Sequence, residues 1–206
     1  MYKHVPKYLE VRFRYTVLLA KWFEENDSSV YEYFKEIADK YSTSNILPSE
    51  NEATVIQIYL GDYINTRLCR QFLIEAGQPF LSFIQFFESR SARAHLLQPK
   101  MAILLSQRFS MFLVDGGIDK LTPKSLLNFK HPKMQLGKKD IFVGGRVRSF
   151  IKQMGLSCDS PVLAEFFNSV TKYYHESTTR LIKYFKTPLF TDSYLILLSL
   201  IPRIVK

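Results

Sequence analysis

The amino-acid sequence predicts an all-α protein, a multi-helix bundle interrupted by one irregular connector near residues 115–145. Three observations carry that expectation. Apolar residues recur at three- and four-residue spacing along most of the chain, the period of a helix with one buried face. Helix-start signals precede those runs: Ser49 and Glu52 at capping-box spacing, Pro79 at a first turn, and Asp159-Ser160 before Pro161. No alternating apolar–polar pattern runs longer than KKDIFVG at 138–144, and only 8 glycines are spread over 206 residues.

Taken in order, Leu9, Phe13, Val17 and Ala20, followed by Trp22 and Phe23, predict an amphipathic helix over 8–25. Asp27-Ser28-Ser29 offers an N-cap to a second helix, VYEYFKEIADKY. A third opens at the Ser49 box, passes through Ile56, Tyr59, Leu60, Tyr63 and Ile64 to about Glu75, and ends at Gly77. Pro79 starts PFLSFIQFFE, and a longer helix over 94–113 is bent or restarted at Pro99. Residues 115–145 hold five of the eight glycines and two prolines, which predicts a connector with at most a short helix after Thr122-Pro123. Helix returns over 146–154 and 161–185, and a last one follows Thr191-Asp192. The chain reads as one helical domain, 1–206, with subdomains of about 1–114 and 146–206 on either side of the connector.

Composition narrows the class. Apolar residues make up 47% and aromatic residues 15%, enough for a packed core and against disorder. Cys69 and Cys158 form no CxxC pair and read as plain thiols of a reducing compartment. No run of about 18 apolar residues is present, and the first residues lack a signal-peptide core, so an intracellular protein without a membrane span is expected. The net charge of +9 is uneven: residues 90–152 carry 13 Lys and Arg against Asp115, Asp119 and Asp140, a local net of +10. Such a segment is either a surface for an anionic partner, most often nucleic acid, or a generic solvated face.

No set of residues in the sequence stands out as a catalytic constellation. His4, His95, His131 and His175 are isolated from one another, and there is no phosphate loop, GxSxG or HExxH. Val143-Gly144-Gly145-Arg146 reads as a glycine turn ahead of a helix more readily than as a phosphate turn. Glu24-Glu25 and Glu32/Glu36 are expected to be solvated. Tyr31/Tyr33 and Tyr173-Tyr174-His175 could stack bases if exposed, but such tyrosines on amphipathic helices more often pack. No cofactor, metal or small-molecule substrate is expected.

FFESRSARAHLLQPKM, residues 86–101, resembles the segment of hAT-superfamily transposases, and of domesticated proteins derived from them, that opens a long helix. The likeness extends in order along the chain. Residues 11–34 are similar to the family's helix after its threonine-arginine-tryptophan site, and Lys139–Gly144 is similar to its turn. Phe166-Phe167, Tyr173-Tyr174, Leu181, Tyr184-Phe185, Pro188-Leu189 and Leu200-Ile201-Pro202 are similar to its closing helices. Two departures stand out: Lys7–Phe13 lacks the threonine-arginine-tryptophan motif, and Ala92 replaces the proline three residues before the histidine.

What the resemblance implies is the helical insertion region of such a transposase almost alone, with the metal-binding catalytic acids outside these residues or absent from the protein. His95 is then a structural marker of the fold. The expectation is a non-catalytic, nuclear, transposase-derived interaction domain that binds DNA, RNA or a chromatin-associated protein through a basic surface. The residues assigned to phosphate contact are Arg90, Arg93, Lys100, Arg108, Lys138, Lys139, Arg146, Arg148 and Lys152. The alternatives are a pure protein–protein scaffold or homo-oligomerising module, and a fragment of an active hAT transposase.

Overall fold

A computed structural model describes residues 13–44, 47–88, 96–117 and 126–185. Among them are eight α-helices and no strand, so the protein is all-α. They are α1 (Phe13–Glu25), α2 (Asp27–Thr43), α3 (Glu50–Ile56), α4 (Tyr63–Ala76), α5 (Gln78–Phe87), α6 (Leu97–Ser110), α7 (Gly145–Gln153) and α8 (Pro161–Phe185). Among the described residues, the short helix expected after Thr122-Pro123 is matched by two 3-10 turns, Leu126–Lys130 and Pro132–Met134. The helix after Asp192 lies outside the described residues.

Local chemistry explains most of the boundaries. The capping box forms: Ser49 Oγ accepts from the Glu52 N–H at 3.3 Å while the Ser49 N–H donates to Glu52 Oε2 at 3.0 Å. Pro99 is the third residue of α6, inside the first turn, where a missing N–H breaks no helical bond. The described helix begins at Leu97, two residues ahead of the proline, and residues 94 and 95 of the expected run lie outside the described residues. The run expected from 50 to about 75 is broken by one π turn, Gln57–Gly61, closed by the Asp62 N–H on the Gln57 carbonyl at 3.2 Å. The expected cap at Asp27-Ser28-Ser29 is overturned. Asn26 precedes α2 without a side-chain cap bond, and the Asp27 carboxylate is drawn into the core.

The described residues group into two compact units. The first comprises those up to Gly77 together with Gly144–Phe166; the second comprises Gln78–Val143 and α8 from Phe167. In the first unit, α4 is the central helix and packs against both α1 and α7. Val17, Ala20, Leu68, Phe72, Val147 and Phe150 are buried, and the Phe72 and Phe166 rings meet edge to face at 6.1 Å.

In the second unit α5 packs on α6, and Phe109, Phe112, Phe129 and Tyr174 form one aromatic cluster. Phe109 and Phe129 are fully buried, each contributing about 1.5–3 kcal/mol through removal from water. The stretch read as a connector is fastened in this unit down to Val143. The Val114 N–H donates to the Met134 carbonyl at 3.0 Å, and the Leu136 and Phe142 N–H groups donate to Phe112 and Met111 carbonyls at 2.8 Å each. Tyr174 Oη then donates to the Phe142 carbonyl at 2.7 Å. Residues 138–144 form no strand; among the described residues one isolated bridge joins Leu113 and Gln135.

Candidate functional site

Helix α7, GRVRSFIKQ, carries three cations and no acid. Val147 and Phe150 turn inward, which leaves Arg146, Arg148 and Lys152 exposed on the solvent side. The start of the helix is set by Gly144, whose φ of +92° lies in a region that side chains disfavour. The carboxylate of Glu75, at the end of α4, accepts from the Gly145 N–H at 2.7 Å and the Arg146 N–H at 2.8 Å. An internal anion thus sits on the positive end of the helix. The glycine turn is structural, as the sequence suggested.

Apart from Arg108, the other residues assigned to phosphate fall into three groups. Lys138 and Lys139 are exposed at the Gly137–Asp140 turn, in the second unit. Lys100 is half-buried with its ammonium 4.6 Å from the Phe86 ring. Arg90, Arg93 and His95 lie outside the described residues, so neither the arginine corner nor the structural role of the histidine is placed.

Arg108 requires a correction. It is 0% exposed and cannot meet a phosphate from solvent. Its guanidinium carbon lies 4.5 Å from the Tyr173 and Tyr174 rings and 5.1 Å from that of Phe80, and Nη2 donates to Ser177 Oγ at 2.8 Å. Burial lowers its proton affinity, opposed by the two tyrosines. Tyr173 and Tyr174 are accordingly packing residues. Tyr31 packs its ring on Tyr63 at 5.1 Å, whereas Tyr33 is 58% exposed.

Sequence reasoning missed a second charged cluster, in the first unit. Asp27 accepts from Tyr59 at 3.0 Å and from Tyr63 and Arg70, while Glu24 accepts from Arg70 Nε at 2.9 Å and Gln71 Nε2 at 2.7 Å. Arg67 reaches both acids at 3.4 Å and also covers the Phe150 ring at 4.8 Å. Glu24 is therefore paired inside the fold and not solvated. Burial would raise the Asp27 carboxyl, but the hydrogen bond from Tyr63 and the charge of Arg70 outweigh it and hold the group below the usual aspartate value. Burial pushes Tyr59 up to about 12 against the pull of Arg70. Burial works against the charge on Arg67 and Arg70, yet the carboxylates raise the proton affinity of both.

Among the described residues, no group of three or more His, Cys, Asp and Glu side chains is placed to hold a metal ion. Nor is any helix among them long and apolar enough to cross a membrane. Cys69 and Cys158 are free thiols. Fold and site together define an all-α protein with an exposed basic helix face and two buried arginine-centred clusters. No family model matches the chain, and comparison with curated proteins and with solved structures yields no match.

Proposed function

We propose that the protein is a non-catalytic helical interaction module that meets nucleic acid through the exposed face of α7. In this reading Arg146, Arg148 and Lys152 contact phosphates, and the module works in the nucleus, as the resemblance to the hAT insertion region implies. The supporting observation is the charge of α7: three exposed cations and no acid within nine residues, on a helix anchored by Val147 and Phe150. Contacts of this kind position a backbone and carry little sequence information. Lys138 and Lys139 are a separate exposed pair in the second unit.

The test is a titration of labelled duplex DNA across a salt series. Three phosphate contacts give a slope of log K against log salt of about −2.7. Arg148→Glu with Lys152→Glu should flatten that slope by about two contacts. A flat slope in the unaltered protein, or no binding at about 100 mM salt, removes nucleic acid from the account.

A further inference from the structure

We infer that the apolar cleft between α2 and α3 is a docking site for a basic amphipathic helix of a partner protein. None of the residues assigned to nucleic acid takes part, so either reading can fail without the other.

Tyr33, Phe34 and Ile37 from α2 and Val55 and Ile56 from α3 line a cleft of about 230 Å³, completed by Asn51 and Glu52. That volume is below the roughly 300–1,000 Å³ of small-molecule sites, and suits a protein side chain better than a cofactor. Tyr33 and Val55 are 58% and 45% exposed, and of the five large apolar side chains exposed among the described residues, Tyr33, Leu47, Val55 and Ile58 all belong to this short stretch.

Charge selects the occupant. Tyr33 also lines a neighbouring, larger cleft with Trp22, Val30, Glu32 and Glu36. Between them the two clefts present Glu32, Glu36 and Glu52 and not one Lys or Arg, on a chain whose net charge is +9. A local reversal of sign on a basic protein complements a cationic partner. Glu52 is engaged with Ser49, so Glu32 and Glu36 are the carboxylates best placed to meet cations. With two helices as walls, the matching occupant is a third helix, its apolar anchors at i and i+3 or i+4 and its lysines or arginines on the adjacent flank.

The probe is a fluorescein-labelled leucine–lysine peptide patterned as an amphipathic helix, with the same composition in scrambled order as control, titrated against the full chain by anisotropy. The protein's overall positive charge repels both peptides equally, so a preference for the patterned one reports the cleft. Val55→Asp and the pair Glu32→Lys with Glu36→Lys, all at exposed positions, should each weaken the patterned peptide about tenfold or more. Circular dichroism checks that the variants fold; if Val55→Asp does not, the charge-reversal pair decides alone. Equal binding of the two peptides, or unchanged affinity in the variants, overturns the proposal. So does a concentration-dependent dimer that Val55→Asp abolishes while the peptide fails to bind, since that assigns the cleft to a second copy.

Discussion

Glu75 occupies the space that a side chain at Gly144 would need: a Cβ built on Gly144 would lie 2.2 Å from Glu75 Oε2. The two residues fix the junction of α4 and α7 together, one by supplying the anion and the other by leaving room for it. Gly144→Ala meets both the positive φ and the carboxylate, and should destabilise the fold by about 2–3 kcal/mol in urea denaturation. Gly145→Ala is the control, because nothing lies within 4 Å of a Cβ there. It should be neutral or stabilising by up to about 1 kcal/mol. Equal losses at the two positions would contradict the role given to Glu75.

The Asp27–Arg70 pair should behave as one buried unit, with side chains 9% and 8% exposed. Arg70→Met leaves a carboxylate in the core and should cost about 3–5 kcal/mol, whereas Asp27→Leu combined with Arg70→Met should lose less than the single changes summed. A double-mutant cycle by denaturation reads the difference. The pair also predicts acid sensitivity. The folded-state pKa of Asp27 lies below its unfolded value, so its stabilisation is full above about pH 4 and is lost as pH falls through the depressed value. Asp27→Asn should remove that part of the acid transition.

His175 gives the same sign in a higher pH window. It packs near Phe112 and Phe129 at 6.2 and 6.0 Å, and burial, followed by the charge of Lys130, lowers its pKa from the usual histidine value. Above about pH 6.5 both folded and unfolded forms are neutral and the group contributes nothing to the pH dependence. Below that, the unfolded chain takes up the proton first, so stability falls with pH until the folded value is passed. His175→Phe should narrow the gap between melting temperatures at pH 7.5 and 5.5. An unchanged gap would show that other groups set it.

Arg108 and the α7 cations separate stability from binding. Arg108→Ala removes a desolvated cation from three aromatic rings and should destabilise by about 2–4 kcal/mol. At a temperature where the variant remains folded, its DNA affinity should match that of the unaltered protein. Lys152→Gln, at an exposed position, should do the reverse, weakening affinity and lowering the salt slope by about one contact with a stability change within about 0.5 kcal/mol. Calorimetry and the salt titration on the same samples provide both readings.

How far the sequence could be read depended on whether the determinant was local. The Ser49–Glu52 box, the first-turn proline of α5 and the bounds of α8 are set within a few residues, and each was legible. The partners of Asp27 lie 32–43 residues away, so a cap residue by type became a core ligand by position. Arg108 was misread by weighing its charge over its place. Met101, Leu104, Leu105 and Arg108 share one stripe of α6, and that period alone points inward. The π turn carries Tyr59, whose acceptor Asp27 lies 32 residues away, and nothing within the turn itself announced it.

The first unit is discontinuous along the chain, and that sets an order of events during synthesis. Glu75 and Gly145 are 70 residues apart, so joining α7 to α4 closes a loop whose chain entropy amounts to roughly 4 kcal/mol. At ordinary elongation rates, about 4–15 s pass between synthesis of Gly77 and of the last residue of α7, Gln153. During those seconds α1 can already lie along α4, while the side of α4 that will receive Phe150 and Phe166 waits uncovered for the ribosome to deliver them.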